Sequence, residues 1–225
     1  VPPRKPPADP ARFDEAVAYF RSLVPLSSDE YRAIEARSRR RAFGVTGLQN
    51  LDIVHDVWRA LDKAIEKGTT LEEFKRDVGD AIEQEWGRAD SARLETVFRQ
   101  NVQTAYSAGR YVQQTAPAIA RRRPYLRFVA LLDDRTTKFI CRPLNGMVAA
   151  VDDPRWQRYY PPLHFRCRSI TQSLTAAQAE ALGGAVEEPN VGVPEGFGGP
   201  PTEDFSPNLA DYPRALVKVY RAKRD

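Results

Sequence analysis

The sequence predicts an α+β fold, with a helical N-terminal half, a small mostly antiparallel β-sheet domain and an extended C-terminal tail. Three observations lead there. Up to Thr115, apolar residues recur at the 3.6-residue period of amphipathic helices, between recognisable caps. From Tyr125 to Thr171 the apolar runs are short, β-branched or aromatic, and bounded by Asp, Gly or Pro, as strands are. From Gly183 to Tyr212 the chain is rich in Gly, Pro and acidic residues and has no apolar period. The organisation that follows is an extended arm over 1–8, a helical domain over 9–117, an α+β domain over 118–183 and a tail over 184–225.

Each element has its own justification. Val1–Ala8 is Pro-rich with two basic residues, and reads as an arm. Asp9-Pro10 opens the first helix, Asp as N-cap and Pro at the first helical position. Its stripe is Phe13, Ala16, Val17, Phe20 and Val24, and Pro25 ends it. Ser27-x-x-Glu30 is a capping box that opens a second helix, with Tyr31 and Ile34 inward. This helix is expected to run into Arg37-Ser38-Arg39-Arg40-Arg41 and to stop near Gly44. Leu51–Lys67 is a third, apolar at Leu51, Val54, Trp58, Leu61 and Ile65, with Gly68 as C-cap. His55 lies beside that stripe, far in sequence from other candidate ligands, and reads as a packed, hydrogen-bonded histidine.

Thr70-x-x-Glu73 caps a fourth helix carrying Leu71, Phe74, Val78 and Ile82, followed by Trp86. The longest helix runs from about Ser91 to Thr115, with the stripe Leu94, Val97, Phe98, Asn101, Ala105, Ala108 and Val112. The stripe narrows from large to small residues, and with Gly109 it lets another element approach closely. Asn101, if buried, needs hydrogen-bond partners. Pro117 and Arg121-Arg122-Arg123-Pro124 separate this half from strands expected over Tyr125–Leu132, Met147–Val151 and Ser169–Thr171. Short polar connections such as Asn145-Gly146 favour antiparallel neighbours. Thr175-x-x-Gln178 caps a short helix ending at Gly183-Gly184. Beyond it Phe197, Phe205 and Tyr212 are placed to pin the tail, and Ala215–Tyr220 reads as a terminal helical turn or a strand.

Composition bounds the function. The 225 residues are 42% apolar and 28% charged, enough for a real core. No apolar run approaches the ~18–20 residues of a membrane span, and no stretch reads as a signal peptide. Two cysteines argue against a disulfide-stapled scaffold and suit a reducing cytoplasm. The net charge of +4 does not by itself announce a nucleic-acid binder. The arginine runs Arg37, Arg39, Arg40, Arg41 and Arg121, Arg122, Arg123 are the candidate contacts to phosphate or an acidic partner, against the plainer reading of solvated faces. The sequence has no P-loop, dinucleotide-binding glycine motif, HExxH or internal repeat.

The densest chemistry lies between the strands. His164-Phe165-Arg166-Cys167 is a spacing from which two side chains reach one ion, and Cys141 can return as a third ligand. A tetrahedral zinc site wants four donors, and only a carboxylate from Asp133 or Asp134 is on hand, so Asp134 is taken as the candidate fourth. The same residues also fit plain packing of two small thiols with a hydrogen-bonded imidazole, or a disulfide.

Four pieces in this order carry a resemblance. They are Asp134-Arg135-Thr136, Cys141-x-x-Leu144-x-Gly146, Pro161-Pro162-x-His164-x-x-Cys167-Arg168, and upstream the helix Glu95-x-x-x-Arg99-x-Asn101-x-x-Thr104-Ala105-x-x-x-Gly109-Arg110. The chain resembles the head-morphogenesis domain of tailed bacteriophages, the Mu F-like minor head proteins, over about Leu94 to Thr171. It departs from them at Lys138, where many relatives carry a further Cys. The resemblance implies a non-enzymatic minor capsid protein acting at the portal vertex of a phage or phage-derived particle. It implies portal or major capsid protein as partner, with packaged DNA as a second contact, and neither a membrane nor a small-molecule substrate. The expected location is the particle interior, with the bacterial cytoplasm during assembly. The alternative is a metal-dependent nuclease or other phosphodiester-hydrolysing enzyme, in which a metal, zinc being the candidate, held by Cys141, His164 and Cys167 activates water. Two histidines and no spare base beyond the Asp pair disfavour it.

Overall fold

A computed structural model of the chain describes residues 13–34, 38–87, 90–184, 189–200, 214 and 217–218. The N-terminal arm, the Asp9-Pro10 cap, Arg37, Phe205 and Tyr212 lie outside the described residues, as does Ala215–Tyr220 apart from 217 and 218, which are helical.

The helical half comes first. Helix α1 (Asp14–Ser22) leads to a two-residue strand β1 (Val24–Pro25), then α2 (Ser28–Ala33), a 3-10 turn over Ser38–Arg41 and strand β2 (Ala42–Phe43). Three long helices follow: α3 (Leu51–Lys67), α4 (Leu71–Trp86) and α5 (Ser91–Thr115). Their ends are where the capping residues put them. Ser27 and Thr70 each complete a reciprocal box with Glu30 and Glu73. Gly68 closes α3 in the left-handed region at φ 69°. One core, with Phe20, Phe43, Leu61, Phe74, Ile82 and Leu94 at its centre, joins α1, α3, α4 and α5. Gly109 sets the approach of α1 to α5: a Cβ there would stand 2.7 Å from the Ala16 backbone nitrogen and 2.8 Å from the Phe13 ring.

Several expectations in this half need correction. Val24 leaves the first helix, because the following Pro25 disfavours the helical conformation. It pairs instead in parallel with Ala42, as Pro25 does with Phe43. The second helix stops at Ala33 and does not run into the arginines, since Ile34 is already extended at ψ 150°. Leu51 is 50% exposed, because at the first helical position it sits ahead of the buried face formed by Ile53, Val54, Val57, Leu61, Ala64 and Ile65. Val112 is exposed as well, where α5 turns a different face inward. Asn101 satisfies itself locally, its Nδ2 donating to the Val97 carbonyl at 2.8 Å.

The second half follows a short helix α6 (Pro117–Ala120). It holds β3 (Tyr125–Val129), α7 (Cys141–Leu144), β4 (Val148–Ala150), α8 (Trp156–Tyr159), β5 (Ile170–Leu174) and α9 (Ala176–Ala181). The sheet has the order β4-β3-β5 and is antiparallel throughout, with Leu126 opposite both Ala149 and Ser173. All three strands shift from expectation, β4 losing one residue at each end. β3 ends at Val129, and Leu131 and Leu132 are exposed, because the Ala130 N–H turns to the Asn145 side chain rather than to a strand partner. β5 starts later and runs to Leu174. Asn145-Gly146 is not a hairpin turn: it ends α7 and delivers the chain into β4, Gly146 donating to the Phe128 carbonyl.

α5 and the turn after α6 cover the open edge of β5. Gln103, Gln114 and Arg123 donate to the carbonyls of Ser169, Thr171 and Ser173 at 3.0, 3.2 and 3.1 Å. An exposed strand edge is a template for unwanted pairing, and these side chains blunt it. A second core forms around Leu126, Phe128, Leu144, Trp156, Tyr159, Tyr160 and Leu163. The stretch 189–200 lies along it as the sequence suggests for a surface tail. Val191 is buried, Pro189 accepts from the Tyr159 hydroxyl, and Phe197 meets Phe165 edge to face at 5.0 Å.

Candidate functional site

Two loops of the sheet half bring Cys141, His164 and Cys167 together. Cys141 opens α7, on the connection from β3 to β4, while His164 and Cys167 stand on the turn that enters β5. Their Nε2 and Sγ atoms all lie within 4.8 Å of one another. Cys141 Sγ is 3.1 Å from His164 Nε2 and 3.8 Å from Cys167 Sγ. Both thiols are free and buried, and His164 is half-buried at the rim. The juxtaposition expected from the spacing is therefore present.

Local chemistry holds each loop. The Thr137 hydroxyl accepts from the Cys141 backbone N–H at 3.1 Å and also lies 3.1 Å from His164 Nε2. On the other loop, the Cys167 N–H closes a turn onto the His164 carbonyl at 3.2 Å. That turn requires Arg166 at φ 59°, a left-handed conformation unusual for a residue with a side chain. Arg166 is held there by α5, its guanidinium donating to the Ala92 carbonyl at 3.0 Å and to the Thr96 hydroxyl at 2.7 Å. Asp133 ties the loops to each other: it accepts from Arg168 at 2.7 Å and from the Arg135 N–H at 3.0 Å. The Arg168 guanidinium, more than any other partner, holds the Asp133 carboxyl well below its usual range.

The electrostatics of the cluster are those of a shared proton. Cys141 donates toward Cys167, which pulls the Cys167 thiol down to about 6 and pushes Cys141 up to about 12, burial adding to the latter. The His164 ring is raised, first by its contact with Cys141. Its Nδ1 lies 2.7 Å from the Phe165 carbonyl, which can only accept, so the Nδ1 proton is fixed there. In the neutral ring, Nε2 then accepts from the Thr137 hydroxyl and faces Cys141 Sγ.

The remaining sequence candidates sit elsewhere. Among the described residues the cluster contains no carboxylate: Asp134 is exposed and does not join it, and Asp133 is engaged by Arg168. His55 is exposed and stacked on Trp58 rather than buried. Arg39 caps the end of α2, donating to the carbonyls of Tyr31 and Arg32 at 3.2 and 2.9 Å. Arg41 is partly buried in the same turn, and the Arg40 side chain lies outside the description. Arg121, Arg122 and Arg123 are exposed, the last bonded to β5. Sequence reasoning missed Thr137 and Arg166. The Asp133-x-x-Thr136 turn ahead of them is legible as a local side-chain motif, but a left-handed arginine leaves no mark in the sequence.

The family described as Phage Mu protein F like protein matches residues 55–172, from α3 through β5, and so includes all three cluster residues. The chain is similar to the putative capsid assembly protein F of Escherichia phage Mu. The two are 33% identical over 187 residues, covering 75% of this chain and 42% of that protein. It is also similar to the Mu-like prophage FluMu F protein of Haemophilus influenzae, 30% identical over 166 residues, with 68% and 39% covered. The chain thus spans about two fifths of the length of these relatives. No solved structure matches it.

Proposed function

The chain belongs to the Phage Mu protein F like family, and from that membership we propose that it is a structural minor head protein, acting in head assembly of a tailed phage or phage-derived particle. The observation that carries this reading is the family match across α3–β5, joined to a relative whose own name is putative capsid assembly protein F. The finer reading is that it works at the portal vertex, inside the particle, with portal or major capsid protein as partner. Packaged DNA is the second contact, and the division into helical domain, α+β domain and tail is kept as the working organisation.

Two features support a protein partner ahead of DNA. The loop between β3 and α7 exposes Leu131, Leu132 and Phe139, the last 87% accessible, and apolar side chains shown to solvent suit a protein surface. The arginines lend DNA less, since Arg39 is committed to α2. A non-enzymatic role is supported by Asp133, a carboxylate of the β3–α7 loop, being bound to Arg168 rather than left to act as a base.

Pull-down and particle incorporation test this. Phe139→Ser, on an exposed side chain, is expected to leave the fold unchanged and to reduce capture of portal or major capsid protein. Arg121→Glu with Arg122→Glu is expected to weaken only a salt-sensitive DNA contact. Unchanged incorporation of Phe139→Ser, together with metal-dependent cleavage of DNA by the purified protein, overturns the structural reading in favour of the nuclease.

A further inference from the structure

We propose that Cys141, His164 and Cys167 hold one divalent ion of the zinc class, its fourth corner taken by a water-sized donor from outside the chain, and that this ion fastens the β3–β4 connection to the turn before β5. The argument rests on donor type, spacing and orientation. Two thiolates each about 2.3 Å from a tetrahedral zinc stand about 3.8 Å apart, and the two sulfurs here are 3.8 Å apart. The imidazole nitrogen, 3.1 Å from Cys141 Sγ and within 4.8 Å of Cys167 Sγ, reaches the about 3.5 Å edges of such a site by moving outward from Cys141. Two thiols and an imidazole are the donors zinc prefers over harder ions.

Orientation is the independent observation. A metal-bound histidine characteristically donates its other ring N–H to a carbonyl or carboxylate, which fixes its tautomer. His164 already does so through Nδ1 and the Phe165 carbonyl, aiming Nε2 at the sulfurs. Beside the donors lies a void of about 10 Å³, lined by Thr137, Arg166, Arg168 and Ser169 with Cys141 and His164. That is room for about one water. Among the described residues no further Cys, His or carboxylate joins the cluster. The ion needs both sulfurs as thiolates, so binding displaces the proton they share to solvent and affinity rises with pH.

The experiment uses the purified full chain, reduced, stripped with chelator and titrated with zinc and then with cobalt(II). One ion per chain is expected, with an intense thiolate-to-cobalt charge-transfer band and the strong visible bands of a four-coordinate ion. Added azide should shift those visible bands, because the fourth corner is exchangeable. His164→Gln, at the rim, should still fold by circular dichroism while losing about a hundredfold or more in zinc affinity. Fewer than about 0.2 zinc per chain after titration, or a Cys141–Cys167 disulfide in protein isolated without reductant, overturns the site. Full metal loading with cobalt bands indifferent to azide overturns the open corner.

Discussion

At the scale of single residues, Tyr160 shows how a polar group is kept inside an apolar core. Its ring is fully buried and its hydroxyl lies 2.9 Å from Gln114 Oε1 and 3.0 Å from Thr171 Oγ1. Thr171 Oγ1 is itself 2.9 Å from Gln114 Oε1, and Gln114 Nε2 donates to the Thr171 carbonyl. Burial raises the Tyr160 hydroxyl well above its usual range, so the network stays neutral. Removing different members should cost different amounts. Tyr160→Phe leaves Thr171 and Gln114 paired and is expected to lose about 1 kcal/mol. Gln114→Ala removes the amide's bonds to Tyr160 and Thr171 together, leaving those two hydroxyls each other and the longer contacts of Tyr160 to Ser107 and of the Thr171 carbonyl to Arg110, and should lose about 2–3 kcal/mol. Urea unfolding of the two variants checks the order, and a larger loss for Tyr160→Phe would contradict it. None of this network was legible in the sequence, because its members come from α5, from the residue after α8 and from β5, and share no spacing. The Cys141, His164, Cys167 cluster was legible, since two of its members lie three residues apart and their types are rare in this chain. Asp134 was a choice between adjacent carboxylates, and the fold gives neither to the cluster.

At the scale of elements, caps and periodicity carried most of the information. Ser27, Thr70 and Thr175 each head a capping box where the S/T-x-x-E/Q pattern places one. α3 spans the residues that its stripe and Gly68 predict. What stayed hidden was decided by tertiary neighbours: the β1–β2 pairing, and the exposure of Leu131 and Leu132 past the end of β3. Two helical glycines separate intrinsic propensity from packing. Gly79 in α4 has nothing within 4 Å of a Cβ position, whereas Gly109 in α5 has the α1 backbone at 2.7 Å. Gly79→Ala should therefore stabilise by about 0.5–1 kcal/mol, the ordinary gain of alanine over glycine in a helix. Gly109→Ala gains the same propensity but forces α1 outward, for a net loss of about 1–3 kcal/mol. Thermal melts of the pair decide the matter. If Gly109→Ala also raises the melting temperature, the close crossing of α1 on α5 is not what holds that glycine in place.

At the scale of the whole molecule, α5 is the element that both halves need. Leu94, Ala105 and Ala108 belong to the helical core, while Gln103, Arg166-bound Thr96 and Gln114 face the sheet half. The helix cannot unravel for one core and persist for the other without exposing apolar surface, so the two cores are expected to unfold together. The three tryptophans report on this separately: Trp58 and Trp86 pack against the helical core, and Trp156 lies within the second. In Trp156→Phe, fluorescence follows only the helical half. In Trp58→Phe with Trp86→Phe, it follows only the sheet half. Each variant moves its own stability, so fluorescence is compared with far-ultraviolet circular dichroism of the same variant. Coincident urea midpoints by the two probes, in both variants, are the signature of one cooperative unit. If the Trp156 signal is lost while helical circular dichroism persists, the sheet half opens on its own and α5 does not couple the cores. Zinc gives the second lever: the proposed ion fastens only loops of the sheet half, yet in a single cooperative unit it raises the midpoint seen by every tryptophan. A shift confined to Trp156 would locate the stabilisation in that half alone.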